Sequence, residues 1–170
     1  AGRFVEATPD EMPRWNSPFA ATMDRDRGHV VIYSDGTLSL LSPEKNGDQG
    51  VYTPGANRDL DTDEAALMAV AGNTLLVALA DGDYRLLDAT TLEPKTTLEG
   101  PEKPRWAAGS PDGRFLAVLS HGSIAWLYDV ANGQPVTNSA ISGGDIRAMA
   151  FTDNSSLVVG DLFMRATNYK

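Results

Sequence analysis

The sequence predicts an all-β protein built from repeated antiparallel units, and three observations support this prediction. Short runs rich in valine, leucine, isoleucine and aromatic residues recur along the chain. Clusters of aspartate, asparagine, proline and glycine separate these runs, as is typical of antiparallel hairpins. No window of about 12 residues carries the 3.6-residue apolar stripe of an amphipathic helix.

The units align on Gly36, Gly82, Gly122 and Gly160, which are 46, 40 and 38 residues apart. The apolar run before each glycine predicts a second strand, at 29–33, 75–79, 115–119 and 157–159. A shorter run further upstream predicts a first strand, at 19–23, 66–70, 106–108 and 148–151. A third strand follows each glycine, and weaker patterns predict a fourth strand at 50–53, 95–98 and 136–139.

Four strands and their turns take about 40 residues, which is the length of one β-propeller blade. A single blade cannot bury both of its faces, so successive blades must stack. We therefore expect residues 1–170 to form one propeller-like segment, with blades at about 15–60, 61–101, 102–142 and 143–170. The last blade lacks an outer strand, which the strand-like residues 3–7 within 1–14 could supply.

The blade count leaves two arrangements open. The segment could close into a small ring, or it could be part of a larger propeller, and the sequence favours the partial propeller. An open half-ring would expose two blade faces and would be expected to self-associate through them. The partner of those faces would then be the remaining blades of the same chain or a second copy.

Two segments of the third unit resemble those of a known family. The sequences SPDGRFLAV at 110–118 and LYDVANGQPV at 127–136 resemble the blades of bacterial WD-repeat and YVTN-type β-propellers. In that family a Ser-Pro-Asp-Gly turn joins the first two strands, and an aspartate follows an aromatic residue at the end of the third. Asp88 matches this aspartate in the second unit, whereas the first unit has 41–43, Leu-Ser-Pro, there. The resemblance implies the fold, but this scaffold hosts unrelated activities.

Composition excludes several classes of function. The chain has 14 Lys and Arg against 23 Asp and Glu, a net charge of −9, which disfavours binding to nucleic acid or to an anionic membrane. The absence of cysteine excludes disulfides, thiolate metal sites and a cysteine nucleophile. The apolar stretch 65–80 is shorter than the roughly 20 residues of a membrane-spanning helix. Its Gly72-Asn73 pair instead predicts two strands joined by a turn.

No motif predicts a catalytic or metal site, and no cofactor is expected. The acidic segment 59–64 begins like a calcium loop, but Glu64 and Val70 occupy the positions that need glycine and glutamate. It is interpreted as a solvated loop. His29 and His121 are the only histidines, too few for a typical zinc site. The chain has no nucleophile elbow, Walker loop or dinucleotide fingerprint.

The tripeptide Pro-Arg-Trp occurs at 13–15 and again at 104–106, each time just before a first strand. In the propeller family, these connections and the turns between the second and third strands form one rim. The resemblance therefore places seven candidate binding residues on that rim: Arg14, Trp15, Asp35, Asp81, Arg105, Trp106 and His121. Tryptophan and arginine are enriched in interface hot spots. Alternatively, each tryptophan packs between blades and each arginine pairs with a turn aspartate.

These observations predict a non-catalytic binding or scaffold module that presents its loops to a protein or peptide partner. A second reading is the extracytoplasmic propeller domain of a bacterial membrane transporter permease or sensor. A propeller enzyme of the lactonase or quinoprotein type is less well supported, because no paired acidic cluster recurs between units. The bacterial style of the blades and the lack of cysteine favour a periplasmic or extracytoplasmic location over the cytoplasm.

Overall fold

The computed structural model describes residues 20–23, 27–34, 36–46, 49–61, 65–79, 82–120, 124–140, 146–161 and 166–169. Within them the chain forms fifteen β-strands, arranged in four antiparallel sheets. In each sheet the strands follow one another in chain order, each paired with the next. The all-β prediction is confirmed, and none of the described residues forms a helix that is long and apolar enough to span a membrane.

The strands of the four sheets have the following bounds. Sheet 1 contains β1 to β4, at Ala20–Met23, Val30–Ser34, Thr37–Asn46 and Gln49–Asp59. Sheet 2 contains β5 to β8, at Ala65–Ala71, Thr74–Leu79, Asp83–Asp88 and Pro94–Glu99. Sheet 3 contains β9 to β12, at Pro104–Gly109, Phe115–Ser120, Ile124–Asp129 and Gln134–Ala140. Sheet 4 contains β13 to β15, at Ile146–Phe151, Leu157–Asp161 and Ala166–Tyr169.

The predicted first, second and fourth strands are confirmed where the chain is described. The apolar stretch 65–80 forms β5 and β6 with a turn at Gly72, whose φ of 52° lies in the left-handed region. The described part of sheet 4 has three strands, as expected. The proposed closing strand at 3–7 lies outside the described residues, as does Gly122.

The alignment of the fourth unit on Gly160 is wrong. Gly36 and Gly82 lie in hairpin turns and have φ values of 80° and 97°. Gly160 instead lies inside β14, where it pairs with Ala148 on one side and Ala166 on the other. The third strand of this unit is therefore β15, which begins several residues further on. Residue type alone does not distinguish a glycine within a strand from a glycine in a turn, and this is why the sequence alignment of the fourth unit failed.

The hydrophobic core lies between successive sheets. The first strands β1, β5, β9 and β13 contact one another in that order, and three clusters of buried side chains fill the spaces between the sheets. Strand β6 is buried along its whole length. Its alternate side chains enter two different clusters, since Leu75 and Val77 face sheet 1 whereas Leu76 and Ala78 face sheet 3. This explains why its sequence is apolar at every position.

Candidate binding surface and cavity

Two of the seven predicted rim residues lie in the described part of the chain. Arg105 and Trp106 are consecutive residues near the start of β9, and both are exposed. The remaining five, Arg14, Trp15, Asp35, Asp81 and His121, lie outside the described residues. The candidate binding surface is therefore described at β9 and at the connection that leads into this strand.

Two buried tyrosines hold the connection between β8 and β9. The Tyr84 hydroxyl donates a hydrogen bond to the carbonyl of Pro101 at 2.7 Å, and the Tyr128 hydroxyl donates to the carbonyl of Glu99 at 3.0 Å. Burial raises the pKa of both phenols, that of Tyr128 to about 12, so both remain protonated donors at neutral pH. At Gly100 between them, a Cβ would collide with the ring of Tyr84. The path into β9 is therefore fixed by packing.

Trp106 bridges two sheets while part of its ring faces solvent. Its indole Nε1 donates a hydrogen bond to the carbonyl oxygen of Met149 on β13 at 2.9 Å. The residue nevertheless remains 43% exposed. The contact with sheet 4 agrees with the alternative in which Trp106 packs between sheets. The exposed part of the residue also leaves an aromatic surface next to Arg105.

A cavity of about 360 Å³ lies where the first strands of all four sheets come together. It is lined by Thr22 of β1, by Met68, Ala69, Val70 and Gly72 at β5, by Ala107, Ala108, Gly109, Ser110 and Pro111 at β9, and by Met149, Ala150 and Phe151 of β13. None of these lining residues is titratable. Sequence analysis missed this cavity, although the small residues Ala107 and Ala108 in a first strand were a visible signal.

The turns between first and second strands connect neighbouring sheets beside this cavity. The main-chain N–H of Asp112 donates to Asn154 Oδ1 in the corresponding turn of sheet 4, at 3.1 Å. Hydrogen bonds from the Ser110 hydroxyl and from the N–H of Arg114 lower the pKa of the Asp112 carboxyl. On the other side, a Cβ at Gly72 would lie 2.9 Å from Gly113 Cα. These turns are structural connections between sheets.

Asp88, which matches the aspartate of the resembled family, organises the turn after β7. Its carboxylate accepts hydrogen bonds from the N–H and hydroxyl of Thr90, from the N–H of Thr91 and from Asn73 Nδ2. Partial burial raises the pKa of Asp88, but the hydrogen bonds from Thr90 and Thr91 and the charge of Lys95 together hold it well below its usual range. Asn73 Oδ1 in turn accepts from Arg27 at 2.7 Å, which connects sheet 2 to sheet 1.

Within the described ranges, no group of three histidine, aspartate or glutamate side chains is arranged to hold a metal ion. Of the acidic stretch 59–64, the structure describes residues 59–61, because 62–64 lie outside those ranges. The Asp59 carboxylate accepts a hydrogen bond from the Thr37 hydroxyl at 2.8 Å. That contact joins the directly opposed residues Thr37 and Asp59 at one end of the β3–β4 pair.

Comparison with known proteins supports the fold alone. No family model and no curated protein matches the chain. Among solved structures, the chain is similar to the computationally designed Ika4 protein, with a TM-score of 0.67 and 17% sequence identity. The match covers 91% of this chain and 91% of that one. At this level of identity, a shared arrangement of strands is what the likeness establishes.

Proposed function

We propose that the protein is a non-catalytic binding module, in which four sheets are arranged radially, as in a β-propeller, and present one rim to a protein or peptide. The radial arrangement is supported by a cavity that residues of the first strands of all four sheets line. The order of contacts between those strands supports it as well. The binding role follows from what this arrangement exposes at the start of β9.

Trp106 carries the proposal. A residue anchored through its indole N–H has little rotamer freedom left to lose on binding, so its exposed ring is a pre-organised contact. Arg105 beside it adds the second residue type that is enriched in hot spots.

A peptide-display selection against the immobilised protein tests this role. Enriched peptides are titrated by fluorescence anisotropy against the wild type, Trp106→Ala, Arg105→Ala and a control, Val136→Ala. Val136 is 54% exposed on the outer strand β12 and so matches Trp106 in exposure alone. We expect Trp106→Ala to weaken binding about tenfold or more, with Val136→Ala unchanged. Failure to enrich any peptide, or equal binding by Trp106→Ala, would contradict the proposal.

Membership of the bacterial WD-repeat and YVTN-type propellers is part of the same proposal. The Ser-Pro-Asp-Gly segment joins β9 to β10, and its Ser110 hydroxyl accepts from the N–H of Phe115 at 2.8 Å. Asp88 and Asp129 each end a third strand and accept main-chain N–H groups of the following turn. These hydrogen bonds give a physical reason for the residues on which the resemblance rests.

Self-association is the remaining partner that we propose. Strand β15 pairs on one side with β14, and in the described part of the chain no strand covers its other edge. The N–H of Thr152 bonds to the carbonyl of Ser156. From this bond and the strand register it follows that the main-chain N–H of Asn168 faces that open edge. Asn168→Pro would remove this donor without breaking a bond to β14. In sedimentation velocity we expect the wild type and Asn168→Ala to associate with concentration, and Asn168→Pro to associate less.

A further inference from the structure

The cavity between the first strands is bordered by strand edges whose main-chain groups have no partner strand among the described residues. Strands β5, β9 and β13 are each the first strand of a sheet and pair with a neighbour on one side only. In an antiparallel pair, residues alternate between those whose N–H and C=O face the partner strand and those whose groups face away. Which residues face the cavity can therefore be worked out from one hydrogen bond and the register.

On β9, the N–H of Ser110 bonds to the carbonyl of Phe115, so Ser110 faces β10. The register from Gly109↔Leu116 to Ala107↔Val118 is continuous. The main-chain groups of Ala107 and Gly109 therefore face away from β10, and both residues line the cavity.

On β13, the N–H of Thr152 bonds to the carbonyl of Ser156, so the groups of Met149 and Phe151 face away from β14. An independent observation agrees with this direction, because the Met149 carbonyl accepts its hydrogen bond from Trp106 of the neighbouring sheet. Phe151 also lines the cavity, and its main-chain N–H and C=O are directed away from β14 by the same register.

The cavity thus combines main-chain donors and acceptors with small and apolar walls. Its 360 Å³ is within the range of pockets that bind small molecules, about 300–1,000 Å³. The walls include Met68, Ala108 and Ala150, and none of the lining side chains that the structure describes carries a charge that would select an ion. Such a site matches a molecule that presents both an N–H and a C=O and has no net charge.

We propose that this cavity binds a small uncharged amide, whose N–H and C=O pair with the open-edge main chain of Ala107 and Phe151. The ligand would complete, for one residue on each side, the hydrogen bonds that a further strand would otherwise make. Trp106 does not line the cavity, so this site uses other residues than the proposed peptide contact at the exposed ring of Trp106.

The proposal is tested by two-dimensional amide NMR of the ¹⁵N-labelled full chain, titrated with 2,5-diketopiperazine. We expect saturable shifts of the Ala107, Ala108 and Phe151 signals. The N,N′-dimethyl derivative keeps both carbonyls but lacks the donors, so it should bind about tenfold more weakly, as expected for losing hydrogen bonds that offset desolvation. The dimethyl probe acts on the wild type and so needs no variant to fold.

A matched pair of variants locates the site. Ala148 and Ala150 are both exposed and lie two residues apart on β13, but only Ala150 lines the cavity. Ala150→Leu should weaken binding of 2,5-diketopiperazine about tenfold by filling the space, whereas Ala148→Leu should leave it unchanged. The proposal is overturned if the shifts do not saturate, if the dimethyl derivative binds equally well, or if both leucine variants bind like the wild type.

Discussion

The interface between sheets 2 and 3 and the interface between sheets 3 and 4 are built differently. In the first, the main chains of β5 and β9 touch, because a Cβ at Gly109 would lie 2.6 Å from Ala71 Cα. In the second, side chains span the gap, with Trp106 bonded to the Met149 carbonyl and Asn154 bonded to the N–H of Asp112. The same strand β9 thus uses the smallest residue on one side and the largest on the other.

The difference shows that neighbouring sheets in a repeated fold need not pack by one rule. Where two edges meet directly, glycine is required since any side chain would displace the backbone. Where they lie further apart, a long side chain can supply the hydrogen bond that the edge carbonyl needs. The free energies of the two interfaces should therefore respond to different substitutions.

The largest effect on stability is expected at the interface between sheets 2 and 3, where the main chains touch. Gly109→Ala should lower the free energy of unfolding by about 3 kcal/mol, because the added methyl meets the Val70 carbonyl and Ala71. The matched control is Gly160→Ala in β14, where no heavy atom lies within 4 Å of the added Cβ. Urea denaturation compares the two variants, and an equal, small change in both would show that β5 and β9 are not in such close contact.

The next largest effect on stability is expected at the interface between sheets 3 and 4, which side chains span. Trp106→Ala should cost about 2 kcal/mol, less than for a fully buried tryptophan, since the ring is partly exposed. Trp106→Phe keeps much of the ring and removes the donor to Met149, and should cost about 1 kcal/mol. Thermal and urea denaturation of both variants separate the contribution of the ring to stability from that of the hydrogen bond. A wild-type stability for Trp106→Phe would mean that the bond contributes nothing.

A third change tests the turn that follows β7 in sheet 2. Asp88→Asn should lower stability by about 1 kcal/mol at neutral pH, because it weakens the hydrogen bonds from Thr90 and Thr91. The folded-state pKa of Asp88 is lowered, so its contribution is complete above the unfolded-state pKa of about 3.9 and is lost as the pH falls below it.

The stability difference between wild type and Asp88→Asn should therefore shrink in urea titrations as the pH is lowered from 7 towards 3. Asp129→Asn is the comparison in sheet 3, where Asp129 Oδ1 accepts from the N–H of Ala131 at 3.0 Å and fewer donors surround the carboxylate. Its effect at pH 7 should be smaller. A difference for Asp88→Asn that stays constant with pH would argue against the hydrogen bonds as the cause.

The smallest effect is expected for Asn154→Ala. This variant removes the acceptor for the N–H of Asp112 at an exposed position, where water can replace it, and should cost about 0.5 kcal/mol. Combined with Trp106→Phe, it would leave the interface between sheets 3 and 4 with neither side-chain bridge. The double variant should then lose its cooperative unfolding transition if the interface depends on these two side-chain hydrogen bonds. The control Gly160→Ala should keep a cooperative transition.

The strands could be predicted because their signals are local. The apolar runs at β2, β6 and β10 and the turn at Gly72 depend on neighbouring residues in the chain. The fourth unit was misaligned because a glycine signals a turn or a close approach equally well, and Gly160 does neither. Trp106 was identified because the tripeptide that contains it repeats the one that contains Trp15. Its hydrogen-bond partner could not be predicted, because the Met149 carbonyl is a main-chain group that every residue has.

The sequence by itself determined that the chain is all-β and where most strands lie, since these follow from apolar periodicity and turn chemistry. Only the tertiary structure decided which edges of β5, β9 and β13 meet around a cavity and which residues offer main-chain groups to it. The physical reason is that such groups are the same in every residue, so strand register and sheet packing alone distinguish Ala107 from Ala108.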